Sequence, residues 1–209
     1  MLKKMVILAA CIAGLACVSV AYAKTINGTS GPDMIRGTTH DDTIEAKGGL
    51  DTVFGLSGDD RITGGPGDDA IQGDATCPSG AGTDFSSCNQ LRGTGNDRIQ
   101  GNAGEDVLAG GAGDDKLSGG GDSDNVNGGK GKDRVDGGPG NDFLYGSSAS
   151  DTLIGGSGKD QFFGGSGNDT LFARGDGRRD QVDCGGGRDK VYAGRNDSVS
   201  VNCETIHRR

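Results

Sequence analysis

The chain has 209 residues, 43 of them Gly, with no Trp, 4% aromatic residues and a formal net charge of −9. This composition excludes a conventional globular core, because large apolar residues are too sparse, and its acidity disfavours nucleic acid as a partner. Low hydrophobicity with high net charge would by itself leave a chain disordered, so only a sequence pattern can argue for a fold.

At the N-terminus, Lys3 and Lys4 precede an apolar and small-residue run from Met5 to Ala21, and Ala21-Tyr22-Ala23 fits an A-x-A cleavage site. Residues 1–23 are expected to be a secretory signal peptide. A lipoprotein box at Leu8-Ala9-Ala10-Cys11 is the rival reading, but the apolar segment before Cys11 is too short and the chain stays apolar beyond it. Loss of Lys3 and Lys4 leaves 19 cations against 30 acids, a net charge of −11. No later segment is apolar enough to span a bilayer, so no retained membrane segment is expected. Of the six cysteines, Cys11 and Cys17 leave with the signal peptide. Cys77 with Cys88 and Cys184 with Cys203 remain as two positional pairs, which in an exported chain favour disulfides.

From residue 28 onward the chain repeats. Aspartates recur at a step of nine at Asp33, Asp42, Asp51, Asp60 and Asp69, and again at Asp97, Asp106, Asp115, Asp124, Asp133, Asp142, Asp151, Asp160 and Asp169. Asp180, Asp189 and Asp197 continue less regularly. Two residues after each of these seventeen aspartates stands an aliphatic residue or Phe, from Ile35 to Val199. Chance would give about one apolar residue in three at such positions. Glycines precede the Asp, most clearly in Gly110–Ser118, Gly128–Asp136, Gly137–Tyr145 and Gly155–Phe163. Gly supplies the positive φ of tight turns and lets carbonyls approach an ion, while the triplet around the apolar residue reads as a short strand with one inward side chain.

The repeat G-G-x-G-x-D-x-U-x, with U a large apolar residue, resembles the haemolysin-type, or RTX, calcium-binding nonapeptide. The resemblance covers nearly all of residues 28–200 and implies an all-β fold, a right-handed parallel β-roll with two repeats per coil. Unit i then stacks on unit i+2, giving roughly eight coils spaced about 4.8 Å apart, a rod on the order of 40 Å long. Stacked turns would bring carboxylates together, and Ca²⁺, a hard ion taking six to eight oxygen ligands, fits them better than Mg²⁺ or Zn²⁺. The resemblance implies several Ca²⁺ ions between adjacent turns, held by repeat aspartates and glycine-turn carbonyls. The strongest sites are expected at Asp115 with Asp133 and Asp142 with Asp160, where Gly110, Gly128, Gly137 and Gly155 open complete turns. Asp169, Asp151, Asp124, Asp106, Asp97, Asp69, Asp60, Asp51 and Asp42 are further ligands. Weaker turns are expected where His40, Asp122 or Ala149 replaces a glycine, and Asp180, Asp189 and Asp197 are doubtful ligands because the spacing there is irregular.

Between Asp69 and Asp97 the chain carries one unit plus nineteen residues, read as a disulfide-pinned loop near 75–93 closed by Cys77–Cys88. Cys184 and Cys203, nineteen apart, fall on neighbouring coils and read as a covalent cap at the C-terminal end of a roll that runs over 24–201, leaving 202–209 as a tail. No catalytic constellation emerges: His40 sits in a repeat turn, His207 in the tail, and the repeat period accounts for the carboxylates. The expected function is therefore that of a secreted, monomeric, non-enzymatic calcium-binding module. A calcium-dependent adhesin contacting cell-surface or matrix molecules, and a relative of an RTX enzyme or toxin lacking the catalytic domain, are the alternatives. The N-terminal leader departs from family members that carry a C-terminal export signal.

Overall fold

The computed structural model describes residues 23–74, 94–173 and 176–208. The expected signal peptide and the Cys77–Cys88 loop lie outside them. The described residues form nineteen strands and no helix, from β1 (Thr25–Asn27) to β19 (Thr205–Arg208). Odd-numbered strands make one ten-stranded sheet and even-numbered strands a nine-stranded one, and every pairing is parallel. Consecutive strands thus lie on opposite sheets, and each coil holds two nine-residue units.

The register follows from the repeat. Val126 aligns with Leu108 on one side and Leu144 on the other, eighteen residues away in each direction. Only one register keeps every apolar side chain inside, because a one-residue slip in a strand turns the whole set outward. Sixteen of the seventeen apolar repeat residues are buried, Ile35 being the most exposed of them at 7%, and Val199 packs against the same core from a partly buried position. The core is a single ladder of one side chain per strand, so coils are added without changing its width.

Strands in regular units are longer than the expected triplet. Lys116–Gly121, for instance, runs through the glycines that open the next unit. The first of these glycines also points inward, where only Gly, Ala or Cys is found, as at Ala46, Ala173, Cys184 and Ala193. The second and third glycines mostly adopt positive φ, and the positions where the sequence substitutes them mostly adopt it as well. Lys47, Leu56, Asn102, Asp122, Ser147 and Ala149 have φ between 76° and 95°. Coil stacking therefore imposes the turn shape, and a non-glycine residue there carries backbone strain. The Asp122 and Ala149 turns, expected to be weaker, keep the common geometry at that cost. The His40 turn does not; it closes through the Thr38 hydroxyl, which accepts the His40 N–H at 3.2 Å.

Both ends extend beyond the aspartate repeat. Lys24-Thr25-Ile26 forms a first half-coil, with Thr25, Ile26 and Asn27 paired to Thr43, Ile44 and Glu45. Residues 202–208, expected as a tail, instead supply β19, which pairs with β17 (Lys190–Ala193) and aligns Ile206 with Val191. The C-terminal end is closed by the Cys184–Cys203 disulfide, with Cα atoms 5.3 Å apart, and by Arg208, whose guanidinium donates to the carbonyls of Gly194 and Asp197 at 2.9 and 3.3 Å. His207 stacks on Tyr192 with ring centroids 5.0 Å apart, extending a stack begun by Phe172.

Two stability outcomes follow. Ala149→Gly relieves a φ of 84° at an exposed turn and should stabilise the folded protein by about 1 kcal/mol, read as a raised thermal midpoint. Cys184→Ala with Cys203→Ala opens the C-terminal cap and should cost about 2–4 kcal/mol, read by chemical unfolding at fixed calcium.

Candidate metal centre

The repeat aspartates form two continuous columns, one along each edge where a turn meets a strand. One runs Asp42, Asp60, Asp97, Asp115, Asp133, Asp151, Asp169, Asp189; the other runs Asp33, Asp51, Asp69, Asp106, Asp124, Asp142, Asp160, Asp180, Asp197. Each backbone N–H donates to Oδ1 of the aspartate in the next coil, as Asp97 to Asp115 at 2.8 Å and Asp142 to Asp160 at 3.0 Å. Oδ1 thereby satisfies a buried backbone donor that the strand ladder leaves unpaired. Every aspartate from Asp42 to Asp169 in the repeat is at most 3% exposed.

The other oxygen has no such partner. Among the described residues, Oδ2 is buried without a hydrogen bond in Asp51, Asp60, Asp69, Asp97, Asp106, Asp115, Asp124, Asp133, Asp142, Asp151, Asp160, Asp169 and Asp189. An orphaned, buried, anionic oxygen is costly unless a cation neutralises it. Except in the units of Asp51 and Asp189, where Ala46 and Cys184 stand at that position, these oxygens face the inward glycine of their own unit. A Cβ placed on Gly110 would lie 2.2 Å from Asp115 Oδ2 and 2.6 Å from the Gly128 carbonyl oxygen; on Gly137 it would lie 2.3 Å from Asp142 Oδ2 and 2.8 Å from the Gly155 carbonyl oxygen. Glycine thus lets a carboxylate and a carbonyl of the next coil converge with no side chain between them. Gly128 and Gly155 likewise leave room for Oδ2 of Asp133 and Asp160. Among the described residues no three carboxylate, imidazole or thiolate groups gather at one point. Each turn supplies one carboxylate, so backbone carbonyls must complete an all-oxygen ligand set, the set a hard, flexible divalent ion such as Ca²⁺ takes.

The environment shifts the acids strongly. Burial raises the Asp97 carboxyl to about 8 against the backbone N–H of Asp60 that lowers it, and the Asp74, Asp115 and Asp60 carboxyls raise it further. Burial likewise raises Asp60, Asp106, Asp115, Asp124, Asp142 and Asp151 to about 7. Asp69 and Asp133 rise to about 6 from the same first cause, and Asp160, Asp169 and Asp189 are raised as well.

The expected sites do not all fall together. Asp115 with Asp133 and Asp142 with Asp160 do stack, but their geometry is shared by the less regular units; glycine content changes backbone strain rather than carboxylate placement. Asp42 differs: its Oδ2 accepts the Thr38 N–H and its Oδ1 accepts the Thr38 hydroxyl at 3.2 Å and the Lys24 N–H at 2.7 Å. That turn closes on itself. Asp189, doubtful from its spacing, keeps an orphaned Oδ2, whereas Asp197 Oδ2 accepts the Gly194 N–H at 2.6 Å. Glu204 closes one column, its Oε2 accepting the Asp189 N–H at 2.8 Å. Its signal was legible as an acid two residues before Ile206, but a step of fifteen and a change to Glu hid it. A second ladder was also missed. In many units the residue before the aspartate links coils on the outer side, as when Lys132 N–H donates to Asp114 Oδ1 at 2.8 Å and Lys159 N–H to Asn141 Oδ1 at 2.9 Å.

A parallel solenoid with buried carboxylate columns and glycine-lined turns defines a class of cation-binding roll. The match of the RTX calcium-binding nonapeptide repeat model to residues 25–53, 46–75, 92–126, 110–144, 118–153 and 136–171 places the chain in that family. The chain is a calcium-binding repeat protein. No curated protein matches it.

The raised acids carry a pH signature. A carboxyl raised in the folded state favours folding below its unfolded value near 4 and ceases to do so as pH rises through the folded value. In chelator, the roll should therefore lose stability between about pH 4 and pH 8. With calcium saturating, ion binding requires the deprotonated form and the slope should reverse. Thermal unfolding followed by circular dichroism across this range, with and without chelator, checks both signs.

Proposed function

We propose that this protein is a secreted calcium-binding module whose repeats fold as calcium enters the two aspartate columns, and that the folded rod acts as a structural or interaction element without catalysis of its own. The observation that carries this reading is the set of thirteen buried Oδ2 atoms without partners. A chain that buries so many anionic oxygens a few ångströms apart needs cations to hold its coils together. The ligands proposed are the aspartates bearing those oxygens, with the carbonyls of glycine turns such as Gly128 and Gly155. Asp42, whose oxygens are already hydrogen-bonded within the protein, is proposed as a structural turn. The leader expected from the sequence of residues 1–23 and the Cys184–Cys203 disulfide support export to an oxidising, calcium-rich compartment, where sites of modest affinity fill. At tenfold excess over Kd each site adds about 1.4 kcal/mol, so several together decide whether the chain is folded.

Asp142→Asn separates the metal reading from simple packing. Asn keeps an oxygen that can accept the Asp124 N–H but replaces the orphaned charge with a neutral amide. Titration followed by circular dichroism should show the variant needing more calcium than the parent to fold, while its residual structure in chelator is equal or greater. A wild-type spectrum that is native in chelator and unchanged by millimolar calcium would refute the proposal.

A further inference from the structure

The outer faces of the two sheets differ in a way the repeat does not require. Each strand shows an outward side chain just before its buried apolar residue. On the ten-stranded sheet four consecutive strands place Arg61, Arg98, Lys116 and Arg134 at this position, aligned in register from one coil to the next. Thr43 and Thr152 border the run. The nine equivalent positions of the other sheet, from Met34 to Ser198, carry no charge. Four cations that look scattered in the sequence of an acidic chain are thus aligned on one sheet face.

Like charges directly opposite on neighbouring strands destabilise a sheet, and the protein does little to relieve them. Among the described residues, the only ion pair on this line is Arg134 with Asp136 at 3.7 Å. Arg61, Arg98 and Lys116 are exposed and, among the described residues, have no carboxylate within ion-pair reach. The outward acids Asp59 and Asp114 share an adjoining groove with them, but their Oδ1 atoms already accept the Asn96 and Lys132 N–H groups at 2.8 Å. The four cations line a shallow groove parallel to the roll axis whose other wall carries Gln100, Ser118 and, at one end beside Arg134, Asp136, aligned in register. Charge recurs along it at the strand spacing of about 4.8 Å, close to the length of one sugar ring in an extended polysaccharide.

We propose that the calcium-loaded roll binds a linear carboxylated polysaccharide, a polyuronate lying along the roll axis, with the carboxylates it turns toward the sheet held along the line of Arg61, Arg98, Lys116 and Arg134 and with Gln100 and Ser118 hydrogen-bonding its hydroxyls. A line one residue wide fits a single thin chain. It does not fit a nucleic-acid duplex, whose dense phosphates need a broad basic footprint and would meet the bordering Asp59 and Asp114. This inference rests on calcium-dependent folding and names a partner class for the folded rod.

The test uses fluorescence anisotropy with a labelled short oligogalacturonate and the protein in calcium, with circular dichroism of the same samples. The parent should bind, and should lose affinity as salt rises. The variant Arg61→Thr/Arg98→Thr/Lys116→Thr/Arg134→Thr, which extends the threonines already bordering the run, should fold with calcium as the parent does and bind about tenfold or more weakly. Lys190→Thr, at the equivalent position outside the run, should bind like the parent. A folded parent that does not bind, a quadruple variant that binds as well as the parent, or tighter binding of a DNA oligonucleotide would each overturn the assignment. A parent that fails to fold with calcium would instead overturn the reading on which it rests.

Discussion

Stacking one carboxylate above another every coil is the constraint on which the rest of this structure depends. Thirteen buried aspartates each give one oxygen to the backbone and leave one without a partner. The first contribution holds the register: Oδ1 ties each coil to its neighbour through a buried N–H. The second creates a debt of negative charge that grows with every coil added. An all-protein solution would need a column of buried cations, and among the described residues the column has none. In the function we propose, calcium removes the repulsion and supplies the cross-link in one step, so that folding and ion binding become a single equilibrium.

The division of labour within the nonapeptide follows from that constraint. The inward glycine leaves space for the free carboxylate oxygen and a carbonyl of the next coil. The later glycines turn the chain through positive φ, and where Ser147 or Ala149 replaces them the backbone keeps its path and carries the strain. The apolar residue contributes one rung to a ladder too thin to stabilise the roll without help. Outward positions are free of these demands. That freedom is why four cations on one sheet are informative, since nothing in the coil calls for them.

Much of this could be read in the sequence because the repeat is one-dimensional. A nine-residue step fixes which aspartates stack, and the Asp-x-apolar spacing fixes which side chain is buried. The pairing of Asp142 with Asp160 and the closeness of Cys184 to Cys203 followed from counting. What was not legible depends on atoms rather than on spacing. Asp42 looks like any repeat aspartate until the Thr38 hydroxyl and N–H are seen to occupy its oxygens. Glu204 and Lys24 close the roll with residue types outside the pattern. Arg61 and Arg98 are 37 residues apart in the chain, so their adjacency appears only once the insertion between them is set aside. Glycine content suggested graded sites; in the structure it marks backbone strain, while most coils place their carboxylates alike.

Calorimetric titration of the full chain with calcium, with folding followed on the same samples, tests the central claim most directly. The account predicts that several ions bind per chain, that their uptake coincides with folding, and that binding heat and structural signal share one midpoint. Folding complete before any calcium is bound, or uptake of no more than a single ion, would contradict it.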